Sequence, residues 1–572
     1  MYAHEQFRHD VKRSLEKALG KRVDDSMILV PPNSAFGDLS TKIAFTLGGN
    51  PKEQAIKLAK KIKPEGHISE IKTEGPYINF YLDFKKYSHK VLSDALKKDY
   101  GKSGYGEGKI IIIEYSSPNV AKSFSIGHLR STIIGQALVN MHKAMGFKVV
   151  PLNHIGDWGM QFGKLIVAWK KWGDKKAFAK DPIKELTRIY VKFHETEDIA
   201  LINDARETFK KLEQGDKEAT KLWKLFCEYS LKKFEKVYDR LNVDCKNYDG
   251  EAKYVLNGGT KRVIDITRKM GLAEKEEDGS IVVRLEKYGL TNLLISKSDE
   301  ATLYATRDLA MAIARHEKFC NAEKLVDEHI EGWKNVYVVG NEQSLHFKQV
   351  FKTLELMGHS WAKDCTHVSF GLITIPGIGK MSTREGTVII LEDVLDKAEE
   401  LAEKIIQKKN PKLPNKKKVA EMVGIGAIKF ADLSQNRLRD ISFDWDKVLS
   451  FEGDTGPYLQ YAYVRCNSIL RQTKKTKSDP HELAHPAEIA LLKKIAEYPN
   501  IIKESGLSYS PHVLSNYLID LVHKFSEFYE QCPVIKAESE GLKGARIELV
   551  MSTKNTLKNG LSLLGIETPE RM

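Results

Sequence analysis

Cysteine is scarce in this chain. Six cysteines lie in 572 residues, at Cys227, Cys245, Cys320, Cys365, Cys466 and Cys532, and no two form a C-x-x-C pair. That scatter excludes a disulfide framework and the ligand spacing of a structural zinc site. Uncharged runs of membrane-spanning length are also missing, so no membrane helix and no membrane partner are expected. Residues 1–5 have no signal-peptide character, and the expected location is the cytoplasm. Internal repeats and low-complexity tracts are absent, which excludes a repeat array. What is present is an ordinary soluble composition, 42% hydrophobic and 29% charged. The length exceeds a single core and predicts three or four domains. A formal charge of +13 suits a polyanion such as RNA, although heavy lysine usage alone produces the same excess.

Two short stretches carry chemistry. The first is Ser117-Pro118-Asn119-Val120-Ala121-Lys122-Ser123-Phe124-Ser125-Ile126-Gly127-His128-Leu129-Arg130-Ser131. Before it, residues 109–114 form a β-branched run that reads as a buried parallel strand. Gly127 is predicted to open a helix through Leu129, Ile133, Ile134, Leu138 and Met141, which recur at helical spacing. A strand–loop–helix unit turns free N–H groups and the positive end of a helix dipole into a crevice. Gly127 lets a flat adenine or ribose approach the backbone, and His128 donates to a phosphate oxygen. A lone Gly-His pair is more often an ordinary turn with a solvated histidine; Ser-Pro-Asn ten residues upstream, with Lys122 between, reverses those odds.

The second stretch is Lys380-Met381-Ser382-Thr383-Arg384-Glu385-Gly386, after a strand-like segment at 369–375 and Pro376-Gly377-Ile378-Gly379. A glycine-flanked loop bearing Lys380 and Arg384 can close on a triphosphate and stabilise the charge that grows as pyrophosphate leaves. A basic surface loop without a role is the ordinary alternative for such spacing. Here the loop falls where the second half of a nucleotide-binding fold should end.

These stretches resemble the HIGH and KMSKS signatures of class I aminoacyl-tRNA synthetases. The sequence between and beyond them resembles the arginyl-tRNA synthetases. Asn153-His154-Ile155-Gly156-Asp157-Trp158-Gly159-Met160-Gln161-Phe162-Gly163, Tyr248-Asp249-Gly250-Glu251, Leu303-Tyr304-Ala305-Thr306-Arg307-Asp308-Leu309-Ala310 and Val338-Val339-Gly340-Asn341-Glu342-Gln343-Ser344-Leu345-His346-Phe347 match its elements in order. Gly456-Pro457-Tyr458-Leu459-Gln460-Tyr461-Ala462 and the final Pro569-Glu570-Arg571-Met572 resemble its anticodon-binding domain. The resemblance implies an α/β chain: a class I Rossmann-like catalytic domain, an α+β N-terminal domain and an all-α C-terminal anticodon-binding bundle. The expected divisions are 1–107 (tRNA elbow), 108–390 (catalytic, with insertions), 391–450 (helical linker or stem contact, with Lys408, Lys409 and Lys416 to Lys418) and 451–572 (anticodon).

The same resemblance implies ligation of L-arginine to its tRNA with ATP, Mg²⁺ accompanying the ATP, in a monomer. It assigns catalysis to Lys122, His128 and Lys380, and ATP binding to Ser125, Gly127, His128, Lys380, Met381 and Ser382. It assigns arginine binding to Ser117, Asn119, His128, Glu251, Tyr304, Asp308 and Gln343, and tRNA contact to Tyr461, Tyr529 and Met572. The chemistry suits a guanidinium, whose planar fork of five donors calls for carboxylates; Tyr304 and Asp308 stand at i and i+4 on a helix. Dense aromatics at Tyr458, Tyr461, Tyr463, Phe525, Phe528 and Tyr529 beside Arg465 and Arg471 offer stacking platforms for bases, although most helical aromatics are core.

Several positions depart from the family pattern. Ser125 replaces the first histidine of HIGH, Thr383 and Arg384 stand where KMSKS has its second lysine, and Ser123 replaces a usual proline. Family members lacking that lysine carry one upstream of HIGH, where Lys122 stands, and family members generally need bound tRNA before they activate arginine. A synthetase-like, non-catalytic tRNA-binding paralogue is the alternative; the retained Asn119, His128, Tyr304, Asp308 and Gln343 argue against it. Another class I synthetase, such as a cysteinyl enzyme, is disfavoured by the missing zinc-type spacing.

Overall fold

The computed structural model describes residues 1–196, 199–298, 303–320, 333–374, 389–442, 444–474 and 476–572. The helix Ala3–Leu19 stops at Gly20, which takes the left-handed backbone (φ 69°). Its face of Phe7, Val11 and Leu15 packs on a four-stranded antiparallel sheet. The strand order there is Ile28–Leu29, Leu39–Thr41, Tyr77–Leu82, Ile68–Glu74. The helix beside this sheet runs Pro51–Ala59. Asn50 accepts from Lys52 N–H and Pro51 enters the first turn, so the capping residues fix where it starts.

The second unit is built on four parallel strands in the order Cys365–Phe370, Lys334–Gly340, Ile110–Glu114, Lys148–Leu152. Ile111, Ile112 and Ile113 are fully buried, as a β-branched run in a two-sided sheet requires. The helix expected to open at Gly127 begins at Leu129, after one 3₁₀ turn, Ile126–His128. It lies close on the sheet. A Cβ at Gly135 would meet Tyr115 Cβ at 2.2 Å, so only glycine permits the contact.

Four helices, Met160–Trp172, Pro182–Glu195, Ile199–Glu213 and Lys217–Arg240, close their own core of Phe162, Ile166, Leu186, Ile189 and Phe226. A small antiparallel sheet, Ala273–Lys275, Ile281–Val283 and Leu293–Ser296, was not anticipated from the sequence. The segment expected as one strand at 369–375 divides. The strand Cys365–Phe370 ends, Gly371 N–H donates to Arg437 O at 2.9 Å, and Ile373–Thr374 then pairs with Ile441–Ser442. That pairing also puts a short strand into 391–450, which was expected to be helical throughout.

The C-terminal helices Gly456–Arg471, Pro486–Leu507, Pro511–Gln531 and Glu540–Leu563 form a bundle around Leu491, Leu518, Val522, Leu549 and Leu557. Three of them open with Pro in the first turn. The bundle core is continuous with the sheet core through Ile113, Leu129 and Leu138. Among the described residues, no helix is long and apolar enough to cross a membrane.

Candidate active site

The loop leaving the central strand is strained. Ser116, Ser117 and Ala121 all take positive φ (74°, 50° and 63°), a region that disfavours side chains. Each of their N–H groups is caught by a side chain from a different element. Ser116 N–H donates to Ser131 Oγ (2.9 Å), Ser117 N–H to Asn153 Oδ1 (3.2 Å) and Ala121 N–H to Ser230 Oγ (2.9 Å). The surrounding structure thus holds a conformation the loop alone would not keep. Asn119 bridges to Gly156: Val120 N–H donates to Gly156 O, and Gly156 N–H to Pro118 O. Asn119 Oδ1 lies 2.3 Å from where a Cβ on Gly156 would stand, so that glycine seats the amide. Ser117 Oγ is buried and has no hydrogen-bond partner among the described residues.

His128 is half-buried at the start of the helix. Its Nδ1 accepts from Ser125 N–H at 3.1 Å, with Ser125 Oγ also at 3.1 Å. A backbone N–H only donates, so the ring's own proton sits on Nε2, leaving that atom as a donor. Burial pushes the imidazole down to about 4, and the nearby Lys122 ammonium pushes the same way, so His128 is neutral near pH 7. Gly127 is exposed, and a Cβ there would meet only Ser125 Oγ at 3.4 Å, which leaves its face open.

A cluster of carboxylates lies beside this loop. Asp249 is structural. Burial would raise it, but Arg315 (3.0 Å) and the Tyr254 hydroxyl (2.8 Å) hold it at about 2. Arg315 also pairs with Glu114 at the end of the central strand (2.6 Å). Glu251 is 5% exposed, and burial pushes it up to about 7 against the pull of Arg307 and His154; Asp308 and Asp157 push it higher. Its Oε2 lies 3.5 Å from Arg307 Nε, yet neither atom has a hydrogen bond among the described residues. The Arg307 guanidinium also lies over the Tyr304 ring, 4.8 Å from its centre. Asp308 Oδ2 lies 2.5 Å from His346 Nε2.

The structure therefore brings Lys122 and His128 together, and Glu251 and Asp308 together, around the Ser117–Asn119 bend. Tyr304 begins the helix Tyr304–Cys320 and is 65% exposed, and Gln343 is exposed on the 3₁₀ turn Asn341–Gln343. Lys380, Met381, Ser382, Thr383 and Arg384 lie outside the described residues. The residues just beyond them are anchored at the first stretch: Ile126 N–H donates to Ile389 O (3.0 Å), and Leu391 N–H to Phe124 O (2.9 Å).

In the bundle, Tyr463, Phe525 and Phe528 are fully buried and belong to the core. Tyr461 and Tyr529 are exposed, with the Arg465 guanidinium 4.9 Å and 5.1 Å from their ring centres. Met572 O accepts from Asn410 Nδ2 at 3.2 Å. Sequence reasoning gave no role to Arg307, His346 or His154. All three sit inside quoted motifs, but only the fold shows what they face.

Comparison with known proteins covers nearly the whole chain. A model described as tRNA synthetases class I (R), catalytic domain, matches residues 90–445. Models of the arginyl tRNA synthetase N terminal domain and the DALR anticodon binding domain match 5–82 and 459–572. The arginine–tRNA ligase of Clostridium botulinum (strain Alaska E43 / Type E3) is 42% identical over 578 residues, 98% of this chain and 100% of that protein. That of Alkaliphilus metalliredigens is 41% identical over 580 residues, with the same coverage. Among solved structures, Thermus thermophilus arginyl-tRNA synthetase superposes with a TM-score of 0.80 at 25% identity, covering 99% of this chain and 100% of that one. Arginyl-tRNA synthetase from Plasmodium falciparum gives 0.78 at 24% identity, covering 99% of each chain, a likeness of fold.

Proposed function

The chain belongs to the arginyl-tRNA synthetases of class I and is an arginine–tRNA ligase; from that premise we propose how its residues divide the work. The substrate's guanidinium enters between Glu251, Asp308 and Tyr304, with Ser117, Asn119 and Gln343 binding the rest of the amino acid. The observation that carries this reading is that both carboxylates already face nitrogen-bearing side chains of the chain itself, Arg307 and His346. One of those side chains is a guanidinium. A pocket that holds this group internally has the charge and shape to hold it as substrate.

ATP lies along Ser125, Gly127 and His128, covered by Lys380, Met381 and Ser382. The arginine carboxylate attacks the α-phosphate, arginyl-adenylate forms and pyrophosphate leaves. A hydroxyl of the tRNA's terminal adenosine then attacks the arginyl carbonyl, and AMP leaves. The protein's task in the first step is alignment and neutralisation of charge. His128, neutral with Nε2 protonated, gives a hydrogen bond to phosphate without adding positive charge; Lys122 and Lys380 supply the charge. Mg²⁺ would accompany ATP, held chiefly by its phosphates. The described carboxylates of the crevice fit that arrangement, being engaged with Arg307, His346 and Arg315.

Residues 1–107 would meet the tRNA elbow and 451–572 its anticodon, where the exposed Tyr461–Arg465–Tyr529 patch offers stacking faces and Met572 would add a contact. The protein would work as a cytoplasmic monomer. Charging of total tRNA with each labelled amino acid in turn tests the reading. Arginine alone should be incorporated, with AMP and pyrophosphate formed; charging of any other amino acid at comparable rate would refute the pocket.

A further inference from the structure

Asp308 is held before any substrate arrives. His346 Nε2 lies 2.5 Å from its Oδ2, and the two side chains are 20% and 16% exposed. The partners come from separate elements. Asp308 stands on the helix Tyr304–Cys320, and His346 on the first turn of the helix Ser344–Leu356. That second helix follows the sheet strand Lys334–Gly340 through one 3₁₀ turn.

The imidazole is itself located by the sheet. It meets the Phe347 ring at 5.4 Å, nearly perpendicular, and Phe347 stacks on His367 at 4.6 Å. His367 Nε2 lies 2.9 Å from Val339 O, on the neighbouring strand. A carboxylate only accepts hydrogen bonds, so the imidazole donates through Nε2. This occupies one oxygen. Among the described residues, no hydrogen bond reaches the other, Asp308 Oδ1.

We propose that His346 is a positioning residue for arginine selection: it fixes the Asp308 carboxylate by one oxygen and leaves Oδ1 to accept from the substrate guanidinium. A carboxylate with both oxygens unheld turns about its Cβ–Cγ bond, and a fork of donors then meets it in one geometry only part of the time. Orienting the acceptor in advance removes that loss, as the partners behind a metal's ligands do. The inference rests on the reading that Asp308 receives arginine.

The experiment is a cycle of wild type, Asp308→Ala, His346→Leu and the double variant, with His346→Gln added. KM for arginine, KM for ATP and kcat are read separately in tRNA charging. His346→Leu should raise KM for arginine by roughly tenfold, the scale of a lost hydrogen bond to a charged group, with KM for ATP unchanged. His346→Gln, which keeps a donor, should recover most of the loss. The double variant should be no worse than Asp308→Ala, because His346 acts through Asp308. Should His346→Leu fail to fold, His346→Asn, whose amide falls short of Asp308, serves in the same cycle. Losses that multiply in the double variant would overturn the proposal, as would equal rises in both KM values. An unchanged KM for arginine in Asp308→Ala would instead overturn the pocket reading, and this inference with it.

Discussion

Arg130 and Asp432 form an ion pair at 3.1 Å, with side chains only 1% and 3% exposed. Arg130 stands two residues after His128, and Asp432 lies near the end of the helix Lys416–Leu433. The same guanidinium donates to Gly371 O (2.6 Å), Arg439 O (2.9 Å) and Arg437 O (3.2 Å). One side chain therefore joins the helix Leu129–Ala144, the end of the strand Cys365–Phe370 and the segment leading to the bundle.

Arg130→Met would leave the Asp432 carboxylate buried without its partner. Loss of one member of a buried pair costs about 3–5 kcal/mol, so the unfolding midpoint should fall clearly. Arg130→Met with Asp432→Leu should recover part of that loss, since no charge is then stranded. A midpoint unchanged by Arg130→Met would show that the pair contributes nothing.

On the proposed division of roles, the absence of the second KMSKS lysine would leave the ATP site short of that lysine's charge. Arginine-dependent ATP–pyrophosphate exchange should accordingly be near background without tRNA and appear when tRNA is added. Strong exchange by the tRNA-free enzyme would remove this account of the missing lysine.

If Lys122 supplies that charge, it acts most as negative charge moves onto the leaving pyrophosphate. Lys122→Ala should cut kcat by roughly 10²–10³ while KM for ATP moves little. Lys122→Arg should rescue only partly, because a planar fork does not reproduce a compact ammonium. Lys380→Ala is the comparison: a severe loss there with near-normal Lys122→Ala would leave the loop alone responsible.

Lys429 is buried, and its Nζ donates to Gly565 O (2.6 Å) and to Leu241 O. Burial pushes it down to about 7, with Glu567 opposing weakly. Between that value and the ordinary lysine range, the unfolded chain binds a proton that the folded chain does not. Stability from this group therefore rises with pH across that window, and below it the cost of a buried charge applies in full. Raising the pH from about 7 to about 9 should favour wild type over Lys429→Met by roughly 2–3 kcal/mol, read as the difference in their unfolding midpoints. A difference independent of pH would mean that Lys429 keeps its charge throughout.

What the sequence made legible was local. The β-branched run at residues 109–114 became the buried parallel strand Ile110–Glu114 because its pattern needs two covered faces. The contacts that shape the site are not local. Ser230 reaches the Ala121 amide from the middle of a helix 109 residues away, and Arg130 meets Asp432 across 302. No periodicity encodes such pairs. Glu251 and Asp308 were read as acceptors for a guanidinium, but their internal partners Arg307 and His346 could not be seen. The segment at 369–375 looked like one strand because its apolar pattern is continuous; the Arg437 and Arg130 bonds at Gly371 end the ladder there.

Asp308→Ala gives the most direct test of the arginine pocket. Removing a carboxylate that pairs with a desolvated guanidinium costs roughly 2–5 kcal/mol. In tRNA charging by this variant, kcat/KM for arginine should fall by roughly 30-fold to several thousand-fold, the equivalent of that energy, while KM for ATP stays near wild type. An unchanged kcat/KM for arginine would contradict the account, and Asp308 would then be no more than His346's partner.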